Sequence, residues 1–324
     1  GIWVTRDSLS FNFDANKVNL QLMKPFVAAF CSDLKGLGSG RCKLYGTFSD
    51  IDLVGKLRAD TISMKIDFTN TWYHAGNDSV TMGKGIIDVK PLTLYDSEGH
   101  TAELSGWLRH RYFHDPVFNF KVRNARSILC YDTDEKQNPL WYGTIYGTGS
   151  GQIAGRPGLV EIDMNMTTSD NSRFFYVISN AEETDNYSFL SFTDKRKQQQ
   201  EAAADTVPDY LHRFMKKVSD DAAASSNVVL SLKGSVTNDA LVTLIMDPVA
   251  GDKITARGQG ALQMDYNMAA NDFRMIGTYT LDEGSYYFTL QDIIIKNFNI
   301  RQGSRIRFNG DPMDAILNIA ATYR

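Results

Sequence analysis

The chain has 324 residues and a formal net charge of −4, with 43% hydrophobic and 22% charged residues. These values are ordinary for a folded protein and exclude a disordered or collagen-like chain. A negative net charge without a long basic tract argues against nucleic-acid binding, because phosphate contacts need clustered Lys and Arg. Three cysteines, Cys31, Cys42 and Cys130, lack CxxC spacing and indicate neither a disulfide framework nor a zinc site.

The composition favours strands and turns, with 15 Tyr, 18 Phe and 25 Gly against 8 Pro. We therefore predict a mainly all-β fold. No stretch has the ~20 apolar residues that span a bilayer, and the first residues do not resemble a signal peptide. The chain opens in strand-like sequence at Gly1-Ile2-Trp3-Val4 and stops at Thr322-Tyr323-Arg324 in an alternating run, which we interpret as a piece of a longer protein.

Two segments have helical spacing. Residues 19 to 34 place Leu20, Met23, Val27, Phe30 and Leu34 three or four apart, which predicts an N-terminal helix interrupted at Pro25. Residues 207 to 224 form the second predicted helix, because Thr206 can cap it, Pro208 suits its first turn and apolar residues form one face.

The polar, low-complexity residues 183 to 206 divide the chain. This segment contains Lys195-Arg196-Lys197, which we interpret as a solvated loop. We predict a β-rich region over 1–182, a polar insertion with a helix over 183–226, and a second β region over 227–324. We also expect 183–206 to be poorly ordered, because it offers no apolar face to dock.

Apolar residues in the last third alternate with polar ones at period two, which gives each predicted strand one apolar face. Such a face either closes as the core of a sandwich or stays open as a trough that binds cargo. The predicted face comprises Val242, Leu244, Met246, Leu262, Met264, Tyr266, Tyr286, Phe288, Leu290, Phe298, Ile300, Ile306, Phe308, Leu317 and Ile319.

Motifs that would indicate catalysis are weak. His110 and His114 are spaced for a helix-borne metal pair, but the glutamate of HExxH is missing and the context is strand and turn, so no metal is predicted. Residues 149 to 154 fit GxGxxA, yet Gly155-Arg156-Pro157-Gly158 cannot continue the helix that a dinucleotide site needs. We predict no enzyme and no cofactor. The sequence alone does not exclude a glycosidase, which would need two facing carboxylates in a cleft.

From about residue 227 the chain resembles the C-terminal domain of the TamB family, which is related to AsmA-type proteins. The resemblance rests on ordered short motifs over about 80 residues, from Val242-Thr-Leu-Ile-Met-Asp247-Pro248 and Gly251-Asp252-Lys253 to the strand 316–323. Looser similarity covers Leu92 to His110 and Trp141 to Gly149. The motif residues to which we assign turns, since Gly permits positive φ and Asp-Pro begins a turn, are Gly277, Gly284, Gly303, Gly310, Asp311 and Pro312.

The resemblance implies a strongly curved antiparallel sheet, folded like a taco, with an apolar concave face. It also implies a periplasmic location and a parent protein anchored in the inner membrane. The implied function is phospholipid transfer between the membranes, outer-membrane protein assembly, or both. The implied partners are phospholipid acyl chains or unfolded outer-membrane protein segments, and a TamA-like outer-membrane barrel.

The alternative is a secreted β-sandwich or β-solenoid adhesin or glycan-binding module. Such a module stacks sugars on exposed aromatic rings of the polar strand faces near loops. Its predicted platform is Trp72, Tyr73, Trp107 and Trp141.

Overall fold

The computed structural model describes residues 3–5, 8–27, 31–47, 50–178, 227–290 and 294–323. Within these residues the strands belong to one sheet, and helix is restricted to short turns. The predicted all-β fold with a curved, largely antiparallel sheet is therefore confirmed. The predicted helix at 207–224 and the polar segment 183–206 lie outside the described residues.

Eleven of the described strands precede residues 179–226, which the structure does not describe. They are β1 Trp3–Thr5, β2 Ser8–Asn19, β3 Cys31–Gly46, β4 Ile51–Ile66, β5 Thr71–Gly83, β6 Ile86–Tyr95, β7 Thr101–Arg111, β8 His114–Thr133, β9 Trp141–Arg156, β10 Leu159–Thr168 and β11 Arg173–Val177.

Eight described strands follow residues 179–226. They are β12 Asn227–Val236, β13 Leu241–Asp247, β14 Asp252–Asn267, β15 Asp272–Leu290, β16 Ile294–Ile300, β17 Ser304–Gly310, β18 Ile316–Asn318 and β19 Ala321–Tyr323. A 3-10 turn at Pro312–Asp314 separates β17 from β18, and Asp311 caps it by accepting a hydrogen bond from the Met313 amide.

The predicted helix over 19–34 is wrong in its second half. A 3-10 turn at Leu20–Met23 continues into one α-turn at Lys24–Val27, and the carboxamide of Asn19 caps the start. Cys31–Leu34 instead begin β3 and pair with β4. Pro25 has no amide hydrogen to donate to the Gln21 carbonyl, which interrupts α-helical hydrogen bonding in this segment, and the ladder with β4 satisfies the backbone from Cys31 onward.

Strands β1 to β9 form an antiparallel meander in which each strand pairs with the next. β10 and β11 then lie end to end beside β9. β12 and β13 also lie end to end, and they pair in parallel with β10 and β11. The sheet continues antiparallel through β14 and β15 to β16 and β17, and ends with β19 and β18.

The sheet is bent along a line that crosses its long strands. β8 shifts register against β9 between Val122 and Tyr131, and β14 shifts against β15 at Arg257/Gly258. Such irregularities bend a strand and increase its twist. At the same line, one strand ends and the next begins in three places: between β10 and β11, between β12 and β13, and between β16 and β17. We call the side with β11, β13 and β16 the front wall, and the side with β10, β12 and β17 the back wall.

The main core lies on the inner face between the two walls. Leu281 is fully buried beside the bend, and Tyr279 and Ala256 are nearly so. The cluster draws buried side chains from both walls, including Phe118 and Val160 on the back wall and Leu244 on the front wall. The apolar faces of the two walls therefore pack together across the described β8 to β17 region.

Candidate functional site: the apolar inner face

A row of apolar side chains crosses the back wall in strict register. Each member faces the next on the neighbouring strand, so all of them lie on the inner side of the sheet. In order from β4 to β15 the row is Leu57, Val80, Val89, Gly106, Phe120, Ile153, Ile162, Leu230, Tyr266 and Phe273. Its first members, on β4 to β6, are only half-buried.

A second registered row crosses the front wall. In order from β9 to β19 the row is Trp141, Tyr176, Leu244, Ile254, Tyr286, Phe298 and Tyr323. Burial decreases along it, because Trp141 is 6% exposed whereas Tyr323 is 58% exposed. The front-wall row thus runs from the closed core to an uncovered aromatic end.

The two rows meet where the rims of the walls touch. Trp141 stacks on Phe273 with ring centroids 6.1 Å apart and planes 7° apart, and it lies edge-on to Tyr266 at 6.0 Å. Tyr176 approaches Phe273 at 5.7 Å. Phe68 and Tyr131 pack on Trp141 from the front-wall side. We call these six residues the aromatic seam.

The seam closes the fold rather than linking neighbours within one wall. Tyr266 and Ile254 belong to the same strand, and twelve residues of extended chain cover about 40 Å. Trp141 occupies the same row as Ile254, yet its ring contacts Tyr266. This contact requires β14 to fold back, which brings the back-wall rim against the front-wall rim.

Burial raises the pKa of two seam tyrosines above the ordinary tyrosine value of about 10. It raises the pKa of Tyr131 to about 12, with hydrogen-bonding partners opposing the shift. Burial, together with the nearby Asp311 carboxylate, raises the pKa of Tyr176 to about 12. Tyrosine is already uncharged at neutral pH, and the raised pKa keeps both rings uncharged into more alkaline solution.

The predicted apolar face is divided by burial into three groups. Leu244, Tyr266, Ile300, Ile306 and Phe308 are buried in the core. A second group is half-buried: Val242, Met246, Leu262, Met264, Tyr286, Phe288, Phe298 and Ile319. Leu317 is exposed, and the side chain of Leu290 lies outside the described residues. The chosen residues are thus in part a sealed core and in part an accessible surface near β15 to β19.

Two of the predicted turn glycines are not in turns. Gly277 and Gly284 lie inside β15, where added Cβ atoms would come within 2.3 Å of the Ala261 carbonyl oxygen and 2.6 Å of the Ala256 Cβ. Glycine at both positions allows close approach of β14, at the bend for Gly284 and on the back wall, away from the bend, for Gly277. Gly303 and Gly310 have positive φ at the start and end of β17, as their assignment requires.

The four aromatics of the alternative glycan platform lie on both faces of the sheet. Trp141 is buried in the seam, and the Tyr73 hydroxyl donates to the Leu129 carbonyl at 2.7 Å. Lys35 covers Trp72, and Arg109 covers Trp107 at 4.5 Å. They therefore do not form one open platform.

The histidine pair flanks the β7–β8 turn. His110 stacks on Phe113 at 4.4 Å, and its Nδ1 accepts a hydrogen bond from the Phe113 amide. Burial lowers the pKa of His110, although the Asp52 charge opposes this. Within the described residues, no cluster of His, Cys, Asp and Glu is arranged to hold a metal ion.

Sequence reasoning missed most of the seam. The glycan-binding alternative placed Trp141 on a polar strand face, and Tyr131, Tyr176 and Phe273 were left unassigned. A new alternating run begins in β15 with Phe273, Met275 and Tyr279, so Phe273 could have been found from the sequence. The contact of Phe273 with Trp141 joins distant parts of the chain, and local periodicity contains no signal for it.

The described residues therefore define an all-β protein whose single, largely antiparallel sheet is folded on an apolar inner face. The family model described as the TamB C-terminal domain matches residues 90–324, and the chain belongs to this family. The family consists of cell-envelope components associated with outer-membrane assembly. The matched range includes the two segments with looser motif similarity, Leu92 to His110 and Trp141 to Gly149.

Searches of curated proteins and of solved structures found no match. Within the described part of the chain, no helix has the length and hydrophobicity needed to cross a membrane.

Proposed function

We propose that this chain is a non-enzymatic, periplasmic part of an envelope protein whose parent is anchored in the inner membrane. Its inner face carries phospholipid acyl chains between the inner and outer membranes, in support of outer-membrane assembly with a TamA-like partner. The observation that carries the proposal is the exposed end of the front-wall row. There Tyr286 and Phe298 are half-buried and Tyr323 is exposed, in register with the buried members of the row.

This accessible surface has the chemistry of an acyl-chain site. Tyr286 stacks on Phe298 at 6.0 Å, and Phe298 contacts Tyr323 at 5.5 Å, which makes a continuous aromatic strip. An exposed aromatic strip of this kind favours apolar ligands. The Lys296 ammonium lies 4.8 Å from the Tyr323 ring, so the strip carries at its edge a cation of the kind that pairs with phosphate.

Unfolded outer-membrane protein is the rival cargo. Its alternating apolar side chains would also fit the strip. A polypeptide, however, has no phosphate group to pair with Lys296. The Lys296 ammonium group therefore favours phospholipid, and a competing peptide distinguishes the two cargoes.

The substitution Phe288→Glu tests the proposal. Phe288 is half-buried, lies on the same face as Tyr286 and is opposite Lys296 in register. At this accessible position the new carboxylate stays hydrated, so we expect a folded protein with a modest loss of stability. We expect binding of a fluorescent fatty-acyl phospholipid to fall by about tenfold, because a charge now lies in the strip.

Tyr287→Glu is the matched control. Tyr287 is the next residue of β15, on the outer face, where Lys253 lies 5.8 Å from its ring. It receives the same charge, and we expect acyl binding to remain unchanged. Equal binding by both variants and the wild type would reject the strip as the cargo site. Displacement of the lipid probe by an outer-membrane strand peptide, without dependence on Lys296, would favour polypeptide cargo.

A further inference from the structure

The outer face of β3, β4 and β5 carries a basic groove with a volume of about 430 Å³. Leu57 of β4 belongs to the inner-face row, and side chains alternate along a strand, so Lys56 and Arg58 on either side of it lie on the outer face. We propose that this groove docks the protein on a bilayer surface by binding anionic phospholipid headgroups. The site is on the opposite face of the sheet from the acyl strip and goes beyond the function proposed above. The groove is lined by Ser39, Gly40, Arg41, Lys56, Arg58 and Ser79.

Four basic side chains lie side by side on this face. Arg41 of β3 is directly opposite Lys56 of β4. Lys43 and Arg58 lie two residues further along the same strands and share the outer face with them. All four side chains are exposed. The chain as a whole has a net charge of −4, so this excess of cations is local.

The pairing of Arg41 with Lys56 is unfavourable for the fold itself, because like charges directly opposite each other on neighbouring strands repel. Glycines keep the two strands close at this point. An added Cβ at Gly40 would lie 2.0 Å from the Lys56 carbonyl oxygen, and one at Gly55 would lie 2.3 Å from the Arg41 carbonyl oxygen. The backbone therefore holds the two cations together, and a bound anion would relieve their repulsion.

Two carboxylates near the groove neutralise it in part. Asp14 Oδ1 lies 3.3 Å from Arg41 Nε, and Asp60 Oδ1 lies 3.3 Å from Arg58 Nη2. The Arg41 and Asp14 side chains are 93% and 79% exposed, and an ion pair as exposed as this contributes little to stability. Lys56, between the two arginines, makes no ion pair with a described carboxylate. An anionic surface would therefore meet positive charge that the described part of the chain does not neutralise.

The shape of the basic groove suits a layer of headgroups better than one enclosed ion. The groove is open, and its basic side chains are exposed and spread over two neighbouring strands. The guanidinium groups of Arg41 and Arg58 can each form two parallel hydrogen bonds with phosphate oxygens, and the Ser79 hydroxyl adds a donor on the β5 side. At an anionic bilayer surface, each basic side chain strengthens binding by about fivefold.

Sedimentation of the full chain with sucrose-loaded vesicles tests the docking site. The anionic vesicles contain equal parts of phosphatidylcholine and phosphatidylglycerol, and vesicles of phosphatidylcholine alone are the neutral reference. We expect the protein to bind the anionic vesicles at least about tenfold more tightly at low ionic strength. This preference should decrease as sodium chloride is added, because salt screens exposed charges.

The double variant Lys56→Gln/Arg58→Gln removes two of the four cations, and we expect it to bind anionic vesicles at least about tenfold more weakly than the wild type. Arg41→Gln/Lys43→Gln removes the other two from β3 and should show a similar loss, which makes the result independent of either strand. The four side chains are exposed, so both variants should fold, and far-UV circular dichroism verifies this.

Lys121→Gln/Lys233→Gln is the matched control, because it removes the same charge from exposed positions of β8 and β12. Its binding should stay within about twofold of the wild type. A loss as large as that of the groove variants would overturn the docking site, since net charge alone would then explain binding, and so would equal binding to neutral and anionic vesicles.

Inorganic phosphate distinguishes a bilayer from a single bound ion. At matched ionic strength it should displace the vesicles no more than chloride does, and stronger displacement would overturn docking on a headgroup layer. Phe288→Glu leaves the basic groove intact, so it should still sediment with anionic vesicles. Failure of the acyl strip in that variant and failure of the groove in the lysine and arginine variants are therefore separate results.

Discussion

Residues of the same strand face differ widely in how much they support the fold. Ile306 and Leu317 are in-register neighbours on β17 and β18, but Ile306 is 4% exposed and Leu317 is 39% exposed. Period two places both on the inner face. Their positions relative to the bend and the end of the described sheet decide which one is packed.

We predict that Ile306→Ala lowers the free energy of unfolding by about 2–5 kcal/mol, because it leaves a cavity in the core. Leu317→Ala removes a comparable side chain that is already in contact with water, and it should cost less than about 1 kcal/mol. Urea denaturation followed by far-UV circular dichroism measures both. Equal losses would mean that burial differs from that described.

Asp96 is a buried carboxylate that ties a turn to the bent strand β8. Its Oδ2 accepts hydrogen bonds from the Leu129 amide at 2.8 Å and from His100 Nδ1 at 2.9 Å, and its Oδ1 accepts from the Glu98 and His100 amides. Burial raises the pKa of Asp96, but these hydrogen bonds oppose it and the net pKa is lowered.

We predict that Asp96→Asn costs about 1–3 kcal/mol at pH 7, because the new amide group faces the Leu129 donor. A lowered pKa contributes stability above the unfolded value of about 3.9, and this contribution is lost as pH falls through the folded value. The gap between the wild type and Asp96→Asn should therefore narrow below about pH 4. Asp88→Asn, at a partly exposed carboxylate, is the control; a constant gap would contradict the assignment.

At the scale of elements, the β7–β8 hairpin is strained. Arg111 pairs with His114, so Tyr112 and Phe113 form a two-residue loop, and their φ values are 51° and 63°. A type I′ turn requires positive φ at both positions, which favours Asn and Gly over aromatic residues. The Phe113 ring is held by its stack on His110.

We predict that Tyr112→Asn stabilises the protein by about 0.5–1 kcal/mol, because asparagine adopts positive φ more readily. Thermal unfolding monitored by circular dichroism should give a higher midpoint. Arg111→Asn changes the preceding strand residue and should not stabilise. A lower midpoint for Tyr112→Asn would indicate that the tyrosine ring makes a contact that outweighs the strain.

At the scale of the whole molecule, the core joins both sides of residues 179–226. Tyr176 and Trp141 contact Phe273, and β10 and β11 pair with β12 and β13. We predict that a chain cut at a protease site introduced within 183–206 stays together in size-exclusion chromatography without denaturant. Separation of the two pieces in native buffer would instead support independent β regions at 1–182 and 227–324, the division that the sequence predicts.

The sequence by itself determined the all-β class, the TamB family and which side of each strand is apolar. These follow from alternation and ordered motifs, which are properties of neighbouring residues. Alternation could not distinguish Ile306 from Leu317, because both satisfy the same period. Helical spacing also placed Cys31–Leu34 in a helix. In a short segment, apolar residues three or four positions apart can occur in a strand as well as in a helix.

Only the tertiary structure decided where the apolar face is closed. The bend in β8 and β14 brings Trp141 onto Tyr266 and Phe273, residues more than a hundred positions away in the chain. Their contact depends on the angle between two walls, which sums small twists and bulges over many strands. Local sequence specifies each strand and its faces, whereas the closure of the fold is a collective property of the whole sheet.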